Sequence, residues 1–540
     1  MLAKRGWLLL LMATAVVYFY GLGRAPFVGA DEPRYAQVAR EMFERGDAVT
    51  PTLNGQTWFE KPALVYWTAI AGFKMFGVAE WPARLGAACA GWFTVLLIGW
   101  MARRVEAKEG EGTSSWLQLS TGAVTATSAG LIVFSRAVNF DVFITMAVTC
   151  TLAFFFAAEL EVDGRKKRWL LAGFYAGMGA ALLAKGLIGV VIPCGVVAVY
   201  YLLRRRWPDV WKSAFWGFFI TIAVAALWYA PVIARHGWVF IDEFFVKQHF
   251  ARYLSNKYHH PQPFWFYLAI IPALMLPWSA FLAAGIYHAR RWNPRGDDAL
   301  SKMRFFALAW VLFPLIFFSV SGSKLPGYIL PALPGAALLA GERLAGFLRG
   351  EGSAAWMRAT GALMFVLAVA GLVYGLKESD LSHLCIGLVT MPVIAASAYV
   401  TFATRRRERN VWLVVGVAFL TTLIIAVCVL EKASARESVR DLLRAAGARG
   451  YNASPVLSLH HIERTAEFYA AGRLIYDETG GAPLKYEGAG EVLEVARQRG
   501  GTILVLVPDE HVGQLTNFQF FETEVIGDNG SVVLVAVRIR

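Results

Sequence analysis

The chain has 540 residues, of which 57% are hydrophobic and only 17% are charged. A soluble protein of this length carries more charge, so the composition excludes an ordinary soluble enzyme and predicts a polytopic α-helical membrane protein. The net charge of +13 does not require nucleic acid, because the basic residues form short clusters between apolar runs, as the cytoplasmic loops of membrane proteins do. We therefore expect no nucleic-acid partner.

Apolar stretches long enough to cross a bilayer recur along the chain, and their number is about thirteen. They are centred on residues 7–21, 82–101, 117–134, 141–159, 169–184, 186–203, 214–234, 264–288, 305–320, 326–341, 359–376, 384–403 and 411–430. Basic clusters fall at every second link, which places those links in the cytoplasm and the others outside it. The clusters are Lys4-Arg5, Arg103-Arg104, Arg165 to Arg168, Arg204 to Arg206, Arg290-Arg291 and Arg405 to Arg407. The first stretch lacks a cleavage site and is interpreted as an uncleaved span.

The composition divides the chain into two predicted domains. Residues 1–430 form the transmembrane domain, with large non-cytoplasmic loops at about 22–80 and 235–263. After about residue 431 the composition is that of a soluble domain, and alternating helix-like and strand-like segments predict a small α/β domain over 431–540, outside the cytoplasm. The five cysteines all fall in apolar stretches and are interpreted as small core residues.

The first large loop carries a pair of carboxylates, Asp31 and Glu32, followed by Pro33, Arg34 and Tyr35. Charge at a lipid surface is costly and is usually kept for function. A carboxylate there can act as a general base or hold a cation. The structural alternative is a helix N-cap, because Asp31 precedes Pro33 where acidic residues favour a helix start. The two interpretations are compatible.

The same loop continues to Glu60-Lys61-Pro62. The Lys61 ammonium is a point charge suited to a phosphate, and the apolar run behind it would bring it to the depth of the lipid headgroups. The alternative is a lysine that reaches the membrane interface and pairs with Glu60. The spacing favours neither interpretation.

Short non-cytoplasmic links carry further charged residues. Arg136 would add a cation to an anion site, whereas Asp141, at the other end of the same link, is better interpreted as a helix cap. Lys185 is a cation at a link where the positive-inside rule disfavours one. Residues 321–331 carry Lys324 and Tyr328 in a proline-broken helix, where freed backbone groups and a cation could face a phosphate.

The second large loop contains His249 and Arg252 among aromatic residues. A histidine in such a loop is more often a hydrogen-bonding residue than a metal ligand. With Glu60 it would make a two-ligand site open to solvent or substrate, which is a weak metal signal.

In order and composition these motifs resemble the GT-C glycosyltransferases that use polyprenyl-phosphate sugars, especially the bacterial aminoarabinose transferases of lipid A and their relatives in the protein O-mannosyltransferase superfamily. The motifs are Asp31 to Tyr35, Glu60-Lys61-Pro62, Arg136 to Asp141, Lys185-Gly186, and Ser323 to Tyr328. The resemblance covers roughly residues 1–430. The tail fits that family's layout of thirteen spans with a periplasmic C-terminal domain, but it carries no recognised motif.

The resemblance implies an enzyme of the bacterial inner membrane that moves a sugar, such as 4-amino-4-deoxy-L-arabinose, from undecaprenyl phosphate to a periplasm-facing acceptor such as lipid A. The candidate catalytic residues are Asp31, Glu32, Arg34 and Asp141, with Asp31 orienting or deprotonating the acceptor. The candidate ligands of the donor phosphate are Lys61, Arg136, Lys185, Arg252, Lys324 and Tyr328. Glu60 and His249 match positions around a divalent metal (Zn, Mg or Mn). We expect no nucleotide cofactor, because no phosphate-binding loop or dinucleotide fingerprint occurs in the sequence.

Three alternatives stay open. The first is a protein O-mannosyltransferase-like enzyme, the second is a transporter of lipids or sugars, and the third is a non-catalytic lipid-binding scaffold whose tail recruits partners. A transporter is disfavoured because the unusual charges gather at one membrane face, and no internal repeat is visible.

Overall fold

The computed structural model describes residues 2–109, 116–206, 209–251, 261–377, 381–403, 405–476 and 483–540. The chain forms two compact units. The first, here called the helical unit, comprises Met1–Tyr20, Phe59–Val65 and Arg84–Ile425. The second, here called the mixed unit, comprises Gly21–Trp58, Tyr66–Ala83 and Ala426–Arg540.

The helical unit consists of helices that follow the predicted apolar stretches. Their bounds are Leu2–Phe19, Glu80–Glu109 (which starts within the mixed unit), Trp116–Thr127, Ala129–Phe134, Phe140–Glu159, Gly164–Lys185, Ile188–Arg204, Ala214–Ile241, Phe266–Leu274, Ser279–Ala289, Ala299–Val320, Leu333–Arg349, Ala355–Lys377, His383–Phe402 and Arg407–Cys428 (which ends within the mixed unit). Two 3-10 segments, Asp209–Ser213 and Pro326–Ala332, and a π-helical segment, Asp242–Ala251, interrupt the series.

Seven helices in the described part of the chain are long and apolar enough to cross a membrane. They are Glu80–Glu109, Phe140–Glu159, Ala214–Lys247, Ala299–Val320, Ala355–Lys377, His383–Phe402 and Arg407–Cys428. Shorter apolar helices lie at Arg5–Phe19, Leu64–Phe76 and Ile188–Arg204. The chain is thus a multi-pass membrane protein, and the count of thirteen spans stays a prediction.

Two of the predicted apolar stretches are each broken into two helices, and hydrogen bonds connect the two breaks. The stretch 117–134 breaks at Ser128, and the stretch 264–288 breaks around Pro277. The Ala129 backbone N–H donates to the Leu276 carbonyl at 2.9 Å, and the Trp278 indole N–H donates to the Thr127 hydroxyl at 2.8 Å. Irregular backbone at membrane depth is tolerated when protein groups take up its hydrogen bonds in this way.

The mixed unit contains the helix Asp31–Arg45, a hairpin of β1 (Thr52–Leu53) and β2 (Gln56–Thr57), most of the helix Leu64–Phe76, and a five-stranded sheet. The strands of the sheet are β3 (Val456–Leu459), β4 (Lys485–Tyr486), β5 (Ile503–Val507), β6 (Phe521–Asp528) and β7 (Val533–Ile539). Its order is β4-β3-β5-β7-β6, with β3 parallel to β4 and β5, and β7 antiparallel to β5 and β6.

Helices accompany this sheet at Leu430–Ala435, Arg440–Ala448, Ala466–Tyr469, Ala489–Arg499 and Gly513–Thr516, with a 3-10 turn at Asp509–His511. Every residue of β5 is buried, because separate apolar clusters cover the two faces of the sheet. A strand covered on both faces reads as a continuous apolar run, and Ile503–Val507 is such a run.

Two cysteines differ from the sequence-based interpretation. Cys89, Cys150 and Cys194 are free, but Cys385 and Cys428 are disulfide-bonded. The interpretation of all five as core thiols is therefore wrong for these two. Cys385 lies in the first turn of His383–Phe402, and Cys428 is the last residue of Arg407–Cys428. Each thus lies at a helix end, and a thiol there can meet the chemistry of the adjoining compartment.

Candidate functional site

Three of the predicted site residues meet in the helical unit. Lys185 is the last residue of the helix Gly164–Lys185, and its ammonium forms an ion pair with the Asp141 carboxylate. The same ammonium lies 4.7 Å from the centroid of the Tyr328 ring. The Lys185 and Asp141 side chains are only 16% and 18% exposed. A cation held by a carboxylate and an aromatic face in such surroundings is a fixed positive charge suited to a phosphate.

The interpretation of Asp141 as a helix cap is wrong, because Asn139 caps that helix. The Asn139 amide oxygen accepts from the Val142 N–H at 2.9 Å, and its amide nitrogen donates to the carbonyls of Phe134 and Ala137. The first-turn N–H is thus satisfied without Asp141. The Asp141 carboxylate is left to pair with Lys185.

Gly327 allows the backbone of the 3-10 segment to approach this ion pair. A Cβ placed on Gly327 would lie 2.2 Å from Asp141 Oδ2 and 2.8 Å from Phe134 Cε1. No side chain fits in that space without moving the Asp141 carboxylate. The position is buried, and glycine is required there by close packing.

We expect Gly327→Ala to lower the free energy of unfolding by about 2 kcal/mol through this overlap. Thermal unfolding of the purified protein would measure the loss. Gly322→Ala, in the same link, is the matched control because a Cβ there meets nothing within 4 Å. Equal melting temperatures for the two variants would contradict the close approach.

Lys324 lies in the same segment but has different partners. Its ammonium donates to the Ser321 carbonyl at 2.7 Å and to the Gln262 carbonyl at 3.1 Å. The side chain is buried, and the Tyr267 hydroxyl donates to the neighbouring Leu325 carbonyl at 3.1 Å. In this structure Lys324 therefore holds the link in place, and its contact with a phosphate stays a prediction.

Arg136 binds the end of the first helix. Its guanidinium donates to the Val17 carbonyl at 2.5 Å and to the Tyr20 carbonyl at 2.9 Å. Burial, together with the nearby charge of Arg84, lowers the pKa of Arg136 to about 10, so it stays charged at neutral pH. A cation on terminal helix carbonyls satisfies groups that have no partner within the helix.

Glu60 and Lys61 form an ion pair at 2.5 Å, with side chains 16% and 13% exposed. The preceding Phe59 packs edge-on against His236 and Phe240, near the end of Ala214–Ile241. The ion pair with Glu60, which is the alternative to phosphate binding in the sequence analysis, is therefore present. Phosphate binding by Lys61 stays a prediction.

The metal prediction rests on Glu60 and His249 and stays a prediction. The described residues contain no group of three or more His, Cys, Asp or Glu side chains that could hold a metal ion. Glu60 is engaged by Lys61. His249 lies in the π-helical segment, but its side chain is outside the described residues, as is the whole of Arg252.

The remaining predicted residues lie in the mixed unit, at the start of the helix Asp31–Arg45. Asp31 is the first helical residue, and the N-cap is Ala30 without a side-chain hydrogen bond, so the interpretation of Asp31 as the N-cap is wrong. The Asp31 side chain is 64% exposed. Glu32, by contrast, is buried. The exposed carboxylate of the pair is the one available to a substrate.

Arg34 connects Asp31 to residues that the sequence analysis missed. Its guanidinium lies 3.7 Å from Asp31 Oδ1, 3.4 Å from Glu467 Oε2 and 5.5 Å from the centroid of the Trp58 ring. Glu467 is fully buried and also accepts from Arg464 at 2.9 Å. Glu467 lies in a four-residue helix without an apolar period, so no sequence signal marked it.

The chain is similar to a known protein family and to curated proteins. The family model described as dolichyl-phosphate-mannose-protein mannosyltransferase matches residues 8–241. The undecaprenyl phosphate-α-4-amino-4-deoxy-L-arabinose arabinosyl transferase of Pseudomonas paraeruginosa is 33% identical over 350 residues, which is 63% of this chain and 60% of that protein. The protein of the same name from Edwardsiella ictaluri is 31% identical over 350 residues, with the same coverage. The match thus spans about 60% of the length of these curated relatives.

Solved structures share the fold over nearly the whole chain. ArnT from Cupriavidus metallidurans, bound to undecaprenyl phosphate, matches with a TM-score of 0.77 at 24% identity and covers 98% of each chain. The apo oligosaccharyltransferase of Archaeoglobus fulgidus matches with a TM-score of 0.50 at 11% identity, covering 94% of this chain and 70% of its own. These likenesses show a polytopic helical membrane fold. The family model and the curated relatives confirm the resemblance indicated by the motifs.

Proposed function

We propose, on the premise that this chain is a relative of the GT-C glycosyltransferases that use polyprenyl-phosphate sugars, that it transfers a sugar from undecaprenyl phosphate to an acceptor outside the cytoplasm. One observation carries the proposal. The Lys185 ammonium is held between the Asp141 carboxylate and the Tyr328 ring at the meeting point of three segments. Such a cation stabilises the phosphate that leaves when the sugar departs.

The orientation that we propose is an inner-membrane protein with thirteen spans, its active site and its residues 431–540 facing the periplasm. The alternation of basic clusters supports this arrangement. It assigns Cys385 and Cys428 to helix ends on the periplasmic side. Both are disulfide-bonded, and disulfides persist in the oxidising periplasm and rarely in the cytosol.

The proposed reaction is a single displacement. An acceptor oxygen attacks the anomeric carbon, the bond between that carbon and the phosphate oxygen breaks, and undecaprenyl phosphate leaves. Asp31 orients the acceptor hydroxyl and takes its proton, and Arg34 keeps the carboxylate in place. The transition state resembles an oxocarbenium ion, so charge growing on the leaving phosphate is met by Lys185 and by the further proposed ligands Lys61 and Arg252. Because the leaving group is a lipid phosphate, the reaction needs no nucleotide.

The substrates that we propose are undecaprenyl-phosphate 4-amino-4-deoxy-L-arabinose and lipid A, the donor being named in the relatives' printed names. A mannosyl donor and a protein acceptor are the second candidate, favoured by the family model over residues 8–241. Mass spectrometry of lipid A and of envelope glycoproteins from a deletion strain, with and without the restored gene, distinguishes them. Loss of aminoarabinose from lipid A supports the first candidate, loss of protein mannose supports the second, and unchanged envelopes contradict both.

Glu467 has a positioning role in this proposal. Glu467→Gln should lower kcat for sugar transfer about tenfold and leave KM for the donor unchanged, because it removes the carboxylate that holds Arg34 beside Asp31. Steady-state kinetics would measure both constants, and Glu467→Asp should restore part of kcat. Glu494→Gln, an exposed carboxylate of the mixed unit, is the control. If Glu467→Gln lowered kcat only in proportion to the loss of folded protein, and Glu467→Asp restored no activity, the role of Glu467 would be structural.

A divalent metal held by Glu60 and His249 is a further proposal, from the resemblance alone. The described residues do not assemble a complete donor set, so no step of the reaction is assigned to a metal. Glu60→Gln and treatment with a chelator should each lower the amount of metal that copurifies with the protein, as measured by atomic absorption. Full activity of the chelated Glu60→Gln variant would eliminate the metal.

A further inference from the structure

The end of the helical unit that carries the basic clusters contains an arginine with unusual surroundings. Arg204 is the last residue of Ile188–Arg204, and its side chain is only 1% exposed. Among the described residues, none of its three guanidinium nitrogens has a hydrogen-bond partner. A buried charge without hydrogen bonds destabilises the folded protein. An arginine retained in this state points to an acceptor that binds there.

The groups around Arg204 leave positive charge in excess. Arg204, Arg206 and Lys302 approach one carboxylate oxygen, Asp297 Oδ1, at 3.6, 3.1 and 3.3 Å. The hydrogen bond from Lys302 and the charges of Lys302 and Arg206 hold the pKa of Asp297 below its usual range, so it is ionised. Three cations therefore share one anion.

Two further carboxylates of the helical unit, Glu342 and Glu159, are already engaged. Glu342 is paired with Arg304 and Arg343. Glu159 accepts hydrogen bonds from the hydroxyls of Tyr200 and Tyr201. Neither forms an ion pair with Arg204 within the described part of the chain, so the excess charge at Arg204, Arg206 and Lys302 persists.

Backbone geometry and apolar surface indicate which anion fits. Arg205 adopts a left-handed conformation, with φ 52°, and ends the helix between the two arginines. Leu202, one turn earlier, is 75% exposed and offers a surface for an acyl chain. A cluster of basic side chains beside exposed apolar helix surface is the kind of site that binds an anionic lipid headgroup. The alternative is that these side chains only extend their charged ends to the water at the membrane surface. That explains Arg206, which is exposed, but not Arg204, which is buried.

We propose that Arg204, Arg206 and Lys302 form a binding site for the phosphodiester of an anionic phospholipid, with Asp297 as the internal carboxylate that the phosphate displaces. A guanidinium binds two phosphate oxygens at once, which would satisfy two of the three nitrogens of Arg204. The exposed Asp297 side chain, at 65%, lies on the loop before Ala299–Val320 and can swing away. This site is separate from the proposed transfer reaction and does not depend on it.

The test measures lipid binding to the delipidated full-length protein in neutral detergent, by native mass spectrometry and thermal unfolding. The probes are dioleoyl-phosphatidylglycerol, dioleoyl-phosphatidylcholine and inorganic phosphate. The wild type should bind phosphatidylglycerol about tenfold more tightly than phosphatidylcholine, and Arg206→Gln/Lys302→Gln should weaken that binding about 20-fold. The matched control, Arg165→Gln/Lys166→Gln, removes two exposed charges from another basic cluster and should change affinity less than about twofold.

Asp297→Asn is expected to increase lipid affinity, an effect that misfolding cannot produce. Removing the internal competitor should tighten phosphatidylglycerol binding several-fold. Equal affinity of the wild type for the two lipids, an equal loss in the control variant, or weaker binding by Asp297→Asn would each overturn the site. Stabilisation by inorganic phosphate alone, with the same dependence on Arg206 and Lys302, would overturn the lipid as occupant in favour of free phosphate.

Discussion

Asp31→Asn should lower kcat for sugar transfer about a thousandfold, within the range that a general base contributes. The amide keeps the shape of the side chain but cannot accept the acceptor's proton. Folding should be little affected, because the Asp31 side chain is 64% exposed and caps no helix. The loss of a charge in the first helical turn costs only about 0.5 kcal/mol.

Initial rates of transfer by protein in liposomes, with melting temperatures of the same preparations, would test this expectation. Glu44→Gln is the matched control because it is also a carboxylate-to-amide change on the helix Asp31–Arg45, in an exposed pair with Arg40. It should keep its rate within about twofold. If Asp31→Asn retained the rate of this control, Asp31 would not be the base.

The second large effect concerns the Lys185–Asp141 ion pair. Lys185→Gln should lower kcat/KM for the donor by a factor of about 100 to 1,000, the range found for removal of one group that stabilises transition-state charge. Asp141→Asn should leave the Lys185 cation without its carboxylate and lower the free energy of unfolding by about 3 kcal/mol. Both expectations follow from the low exposure of the two side chains.

The double variant Asp141→Asn/Lys185→Gln separates the two roles. It should recover much of the stability lost in Asp141→Asn, because no unpaired charge remains, but none of the activity lost in Lys185→Gln. Glu351→Gln, which breaks the more exposed pair with Arg349, should cost less than about 1 kcal/mol. Additive losses of stability in the double variant would show that the two side chains do not interact.

Much of the fold could be predicted from the sequence, because each helix that crosses the bilayer requires a long apolar run. The breaks within those runs were harder to foresee. Ser128 and Pro277 interrupt two apolar stretches, and a hydrogen bond from Ala129 to the carbonyl of Leu276 joins the two interruptions. That contact joins segments far apart in the chain, so no local pattern contains it.

The site was predicted as a set of residues but not as a set of contacts. Asp141 and Lys185 are 44 positions apart, and only the packing of their helices shows that they pair. Asn139 could have been recognised as the cap, since asparagine is among the strongest N-cap residues. Glu467 could not have been recognised as a site residue, because one buried carboxylate in a short helix resembles any surface glutamate in sequence.

Cys385, Cys428 and Arg136 show that residue type and apolar surroundings do not by themselves predict a side chain's contacts. Cys385 and Cys428 lie in apolar stretches, as core residues do, yet their positions at helix ends make a disulfide possible. Arg136 lies in a link and holds the carbonyls of Val17 and Tyr20, and phosphate binding by Arg136 stays a prediction. In both cases the position relative to a helix end, rather than the residue type, determines the contact.

The most direct test of the central claim is a reaction with purified components. Protein in liposomes would be given undecaprenyl-phosphate aminoarabinose and lipid A, and the released undecaprenyl phosphate and the modified lipid A would be quantified by mass spectrometry. We expect the two products in equal amounts, with none from liposomes without protein. Movement of intact donor across the bilayer without either product would contradict a transferase and identify a transporter.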